Sequence, residues 1–184
     1  MNNRRKPYNR ITATVRYWTV GLLILCMTSS RIFAQSNEAD IKAMFLFNFI
    51  KYVEWPQAKE TSTFRIGVIG KSPVTESLKK VIAQKVKEGR KIEVVALAAN
   101  EDVECQLIFV PEDSEFNTDD LLRLRHVGGV LVISESAAHS EKWAAINLLT
   151  VENKIRFEIN QGAAKAGGIK ISSQLSNLAI SVNP

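Results

Sequence analysis

Apolar residues along the chain recur with two periods, and these define the elements. Between Lys154 and Asn160, Ile155, Phe157 and Ile159 fall on one side and Lys154, Arg156, Glu158 and Asn160 on the other. A period of two predicts a strand with one wet face. Asn160 then stands where a helix N-cap belongs, ahead of Gly162–Ala166, and Gly167-Gly168 stops that short helix. Ile171, Leu175 and Leu178 continue at helical spacing. Upstream, Asn37 to Val53 reads as a helix capped by Ser36 or Asn37, with Glu38 and Asp40 at the positive end of its dipole. Ile41, Phe45, Phe49 and Tyr52 share one face of it, widened by Leu46, Ile50 and Val53. Pro56 ends it and pushes Trp55 towards extended geometry.

Strands alternate with helices between these two regions. Phe64–Gly70 is a short buried strand, followed by a helix with Ser72 as N-cap and Pro73 in its first turn. Val74, Leu78, Val81, Ile82 and Val86 form the apolar stripe of that helix, and Gly89 ends it. Lys91–Leu97 and Cys105–Val110 are the next strands, the second nearly continuous in apolar residues as central parallel strands are. A short helix around Leu121–Arg125, the strand Val130–Ser134 and a helical turn at Ser140–Trp143 follow. Ala145–Val151 and the strand from Lys154 form a hairpin through Glu152-Asn153. This order predicts an α/β fold: three layers around a Rossmann-like, mostly parallel sheet with an antiparallel C-terminal hairpin at its edge.

The N-terminus changes the electrostatic picture. Residues 1–34 combine a basic start (Arg4, Arg5, Lys6, Arg10) with the apolar run Tyr17–Met27, too short to span a bilayer, and Ala34 before Gln35. They read as a cleaved signal peptide, leaving a single domain over 35–184 in the periplasm. Lipoprotein anchoring at Cys26 is disfavoured because Leu25 precedes it. The chain has 24 Lys and Arg against 19 Asp and Glu. Six of the basic residues lie in the leader, so the remainder carries 18 positive and 19 negative side chains, a net of −1. A basic footprint for nucleic acid is absent from that remainder, and no stable membrane insertion is expected of it. Cys105, opening an apolar strand, is its only cysteine and is expected to be buried.

Searches for chemistry return little. Gly70-Lys71-Ser72 lacks the earlier glycine of a phosphate loop, since Arg65 stands there. Weak anion binding at the Ser72 helix start stays open. Glu112, Asp113 and Glu115 read as a solvated acidic loop rather than a calcium site. His126 and His139 have no metal partner at suitable spacing, and no nucleophile motif surrounds Ser172 or Ser173. The expectation is no catalytic residue, no metal and no cofactor. Phe45, Phe47, Phe49, Tyr52 and Trp55 fit core packing better than a partner groove. Glu158 is placed either to pair with an arginine such as Arg123 or Arg125, or to face a partner.

Three stretches carry a resemblance. Arg156-Phe-Glu-Ile-Asn160 with the following A-x-x-A-G and I-S-S-x-L, the run Lys42–Pro56 (KAMFLFNFIKYVEWP), and Cys105–Val110 (CQLIFV) resemble the YfiR family in the right order and at the right separations. The resemblance implies an exported repressor docking on the periplasmic sensor region of a membrane-bound diguanylate cyclase, thereby controlling cyclic-di-GMP and biofilm growth. It implies alternatively a small-ligand sensor acting with a histidine kinase. A homodimer is compatible with either. Disulfides that stabilise some relatives have no counterpart here, because Cys105 has no second cysteine within 35–184. The contact surface expected for a partner is Arg156, Glu158, Asn160 and Lys165, with Trp55 as anchor; a weaker ligand site is expected at Ser72.

Overall fold

The computed structural model describes residues 38–56, 63–85, 91–98, 104–114, 128–135 and 143–184. All belong to one compact unit, Glu38–Pro184. The leader with Cys26, the Leu121–Arg125 helix with Arg123 and Arg125, Glu115, His126 and His139 lie outside the described residues.

Helix α1 covers residues 38–49 and tightens into a 3-10 turn at Ile50–Tyr52. Strands β1 (Val53–Glu54) and β2 (Thr63–Ile69) follow, then helix α2 (Pro73–Lys85) and strands β3 (Lys91–Leu97), β4 (Leu107–Val110) and β5 (Leu131–Ser134). The chain closes with β6 (Ile146–Val151), β7 (Lys154–Asn160), α3 (Gln161–Ala166), β8 (Lys170–Ile171), α4 (Ser173–Ser176) and β9 (Ser181–Asn183). Seven strands make one sheet in the order β3-β2-β4-β5-β6-β7-β9, and β1 pairs with β8 apart from it. Neighbours from β3 to β6 are parallel, β6 and β7 are antiparallel, and β9 returns parallel to β7. This is the mostly parallel three-layer α/β sheet with an antiparallel hairpin that the pattern predicts, with β9 added outside the hairpin.

The sheet is apolar on both faces because both are covered. Leu107 and Phe109 of β4 enter a core shared with Leu46 and Phe49 of α1 and Leu78 of α2. Ile108 and Val110, their neighbours, enter a second core on the opposite face with Cys105, Val132 and Trp143. Cys105 is thus buried, as its apolar strand predicts. Gly67 on β2 belongs to this second face. A Cβ there would meet Leu97 Cδ1 and come within 3.0 Å of Cys105 Sγ. Only a bare backbone lets those two side chains close over the strand.

Two sequence expectations are corrected at helix ends. The first helix does not run to Val53: Val53 pairs with Ile171 and Ser172 N donates to Tyr52 O at 2.9 Å, so the chain is drawn into the small sheet. The buried stripe of α1 is Ala39, Ala43 and Leu46 with Phe49, and Ile41 is turned outwards. The two alanines let the helix lie close to the sheet, which a stripe through Ile41 would not. At the other end, Ile171 is spent on β8 and α4 lasts four residues. Leu178 is left 66% exposed instead of continuing a buried helical face.

The hairpin is as predicted. Glu152 and Asn153 have φ of 48° and 60°, the left-handed pair that suits the right-handed twist of two joined strands. Phe157 then meets Phe49 edge-on at 5.1 Å and Phe45 at 6.0 Å. Removing that ring empties the contact between α1 and β7. Phe157→Ala is expected to lower unfolding stability by about 3–5 kcal/mol in urea titrations, with the sheet order preserved.

Candidate functional site

The wet face of β7 is formed as its alternation dictates. Arg156 lies opposite Leu149 of β6, and Glu158 sits between Asn147 of β6 and Ser181 of β9. Asn160 lies opposite Asn183. Arg156 is exposed and Glu158 half-buried. Asn160 has a structural duty: its Oδ1 accepts from Ala163 N at 2.8 Å and starts α3. Lys165, one turn on, is exposed on that helix. Arg156, Glu158, Asn160 and Lys165 therefore follow one continuous strand-to-helix path.

Trp55 does not join them. Its indole Nε1 donates to Gln106 O at 3.1 Å, and its ring stands edge-on to Phe64 at 5.1 Å. Gln106 Oε1 in turn accepts from Arg65 N at 2.7 Å. Trp55 thus closes the β2–β4 end of the core. Ser72 is also engaged, accepting from Val74 N at 3.3 Å as a helix cap. Phe47 and Phe49 are buried, so the aromatic run of α1 serves packing.

Beside α3 the surface opens into a groove of about 650 Å³. Ile169 and Ile171 line it, Lys165 and Lys170 give it positive charge, and Gly162 and Pro184 complete the wall. Gly162 is required there, since a Cβ would come within 3.1 Å of Pro184 O. Lys170 pairs with Glu54 at 2.9 Å, but both side chains are exposed and the pair holds the rim only loosely. Leu178, Ile180 and Val182 add exposed apolar surface on the approach to β9 and along it. Sequence reasoning identified Lys165 and missed Lys170 and β9. The alternation Ile180-Ser181-Val182-Asn183 was the available signal for that strand.

A second concave site lies at the other end of β7. Lys42 of α1 places its Nζ 2.6 Å from Glu38 Oε1 and 2.8 Å from Glu135 Oε1. Glu135 immediately follows β5 and is only 10% exposed at its side chain; its Oε2 accepts from Glu112 N at 3.3 Å. Burial pushes the Glu135 carboxyl above the usual carboxylate range, outweighing Lys42 and the Glu112 amide. Burial pulls the Lys42 ammonium down, yet hydrogen bonds and charges from Glu135 and Glu38 outweigh it and leave it above its ordinary value. Both groups hold their protons more tightly than in the unfolded chain.

Residues 39–180 match the family described as YfiR/HmsC-like, and no curated protein matches the chain. Among the described residues, no helix is long and apolar enough to cross a membrane. The family's theme is regulatory rather than catalytic. With its match spanning most of the sequence, the chain belongs to the YfiR/HmsC-like family.

Lys42 and Glu135 yield two expectations. Lys42→Met strands a carboxylate that is mostly buried and is expected to cost roughly 2 kcal/mol, between the values for exposed and buried pairs; Lys42→Met/Glu135→Leu recovers most of it. Chemical denaturation measures both. The second concerns pH. Above the ordinary carboxylate range but below the raised value of Glu135, the folded chain keeps a proton that the unfolded chain has lost. Stability contributed by Glu135 therefore falls as pH rises through that window. Melting of the native chain relative to Glu135→Gln should drop as pH rises above the ordinary carboxylate range and through the raised value of Glu135.

Proposed function

We propose that this protein is an exported regulatory binding protein that represses a membrane-bound diguanylate cyclase by docking on its periplasmic sensor region. Membership of the YfiR/HmsC-like family over residues 39–180 carries this reading. The surface that suits it is the groove beside α3 together with the wet face of β7: Arg156 and Glu158, Lys165 and Lys170, and an apolar floor at Ile169 and Ile171. Such a surface takes a partner segment that alternates apolar and acidic residues. Asn160, which caps α3, supports this surface from behind; Trp55, engaged at the β2–β4 end of the core, stands apart from it.

Repression by docking requires no chemical step. A partner held preferentially in its inactive state is depleted of its active state. A swing from mostly active to mostly inactive takes ~5.5 kcal/mol of differential binding. An interface of ordinary size, burying about 1,600 Å², is sufficient for that. A second reading, a sensor working with a histidine kinase, draws support from the cavity at Lys42 and Glu135.

Deleting the gene is expected to raise intracellular cyclic-di-GMP, and restoring it to lower the level again. The pair Arg156→Glu/Lys165→Glu, both exposed, should keep the native melting temperature and fail to restore repression. Mass-spectrometric quantification of cyclic-di-GMP reads both. Unchanged levels on deletion would sink the cyclase reading; full repression by the charge-reversed pair would remove this surface from it.

A further inference from the structure

The two edges of the seven-stranded sheet are β3 and β9, and they are built differently. On β3, Lys91 and Glu93 pair at 2.7 Å, and Glu93 also takes Arg65 of β2 at 3.3 Å. Charge of this kind is how sheets keep an edge from joining another chain. Strand β9 has no such guard. From Ile171 to Pro184 the chain carries no charged side chain, and Leu178, Ile180 and Val182 are exposed.

The free edge of β9 offers backbone groups. Asn160 N donates to Ala145 O on the β6 side, so the groups of Ile159, one residue back, turn towards β9. In a parallel pair such a residue bonds to the neighbours of the residue it faces. Ile159 faces Val182, so its bonds go to Ser181 and Asn183. The N–H and C=O of Val182 therefore point away from β7, where no described strand receives them. Its side chain lies on the face of Ile159, the face that α1 covers. Helix α1 stops short of β9 and leaves apolar residues on its own flank: Ile41 and Met44 are 40% and 48% exposed. Phe45, beside them, is half-buried with its ring 6.0 Å from Phe157, whose O accepts from Ile180 N at 3.0 Å. An apolar margin thus borders an open strand edge, and five of the six large apolar side chains exposed among the described residues belong to it.

We propose that a second copy of this chain covers this margin, its β9 pairing antiparallel to the first about a twofold axis at Val182. The open N–H and C=O of Val182 call for an extended strand. The absence of charge favours an identical one, since a twofold then brings no like charges together, and a charged strand would find no counter-charge. This register sets Val182 against its own copy and Ile180 against Pro184, apolar on apolar. Three strand residues cannot bury the ~800 Å² per partner of an ordinary stable interface. The flank of α1 at Ile41 and Met44 supplies the remainder. Arg156 and Glu158 alternate to the opposite face of β7 and stay open, so the dimer is independent of the docking proposed above.

Sedimentation velocity on the purified chain, without any partner, tests this at roughly 100 μM, far above a micromolar Kd. The expected mass is twice that of one chain. Val182→Lys and Val182→Pro should sediment as single chains, and Met44→Lys, on an exposed helix position, should dimerise about tenfold more weakly. Cross-linking reads the register. Paired antiparallel residues of this kind lie about 5.5 Å apart at Cα, within disulfide reach. Under mild oxidation Val182→Cys should form a covalent dimer, whereas the parent chain and Ala96→Cys on β3 should not. A single-chain mass for the parent overturns the proposal. So does undiminished association in both Val182→Lys and Met44→Lys, or cross-linking of Ala96→Cys as fast as Val182→Cys.

Discussion

The ring of Phe157 is held between Phe45 and Phe49, with centroids 6.0 and 5.1 Å away and both contacts near edge-on. This three-ring cluster joins the first described helix to a strand more than a hundred residues later. Edge-to-face geometry fixes the relative rotation of helix and strand as well as their distance. Lys42 lies one turn before Phe45 on the same helix, so the rings also determine where its ammonium sits above the end of β5. Asn160 lies three residues after Phe157, so the same contact determines where α3 begins.

Strand β7 has one end in each concave site. Ile155 lines the cavity, and Asn160 caps the helix that lines the groove. Strand β7 is the element that runs from one to the other, while α1 borders the cavity alone. Its interior is packed by Phe157 and Ile159, both buried. Movement of such a strand is felt along its whole length, because a packed interior resists local deformation.

Much of this was legible in the residue pattern, for identifiable reasons. The alternation of β7, the two-residue turn before it, the Asn160 cap and the continuous apolar strands β4 and β5 are local signals, and each element formed where its signal lies. The family resemblance rested on β7 with the residues after it, on Lys42–Pro56 and on Cys105–Val110, and it holds. Ser72 was legible as a helix cap, and it accepts from Val74 N. Trp55 was readable as a partner anchor because a sequence does not show which distant backbone groups await a donor, and Gln106 O is that group. Lys42 stood out as an interruption of an apolar helix, but its carboxylate partner, 93 positions away, is brought to it by the crossover from β4 to β5. The end of the chain misled for a related reason. Ile171 and Leu175 have helical spacing, but β8 pairs with β1, and that distant partner overrides the period.

The tight turn at Glu152 and Asn153 has a consequence for how the surface tolerates change. Two residues with left-handed backbone hold Lys154 opposite Val151 and thereby fix every later pairing of the hairpin. Side chains in a strand switch sides at each step, so a single inserted residue that shifted this frame would turn Phe157 and Ile159 to solvent and drive Arg156 and Glu158 into the apolar interior. Length variation at this bend is therefore incompatible with both the interior and the recognition face at once. Drift in side-chain identity at the two turn positions, by contrast, is open to asparagine, aspartate and glycine, which accept the same backbone.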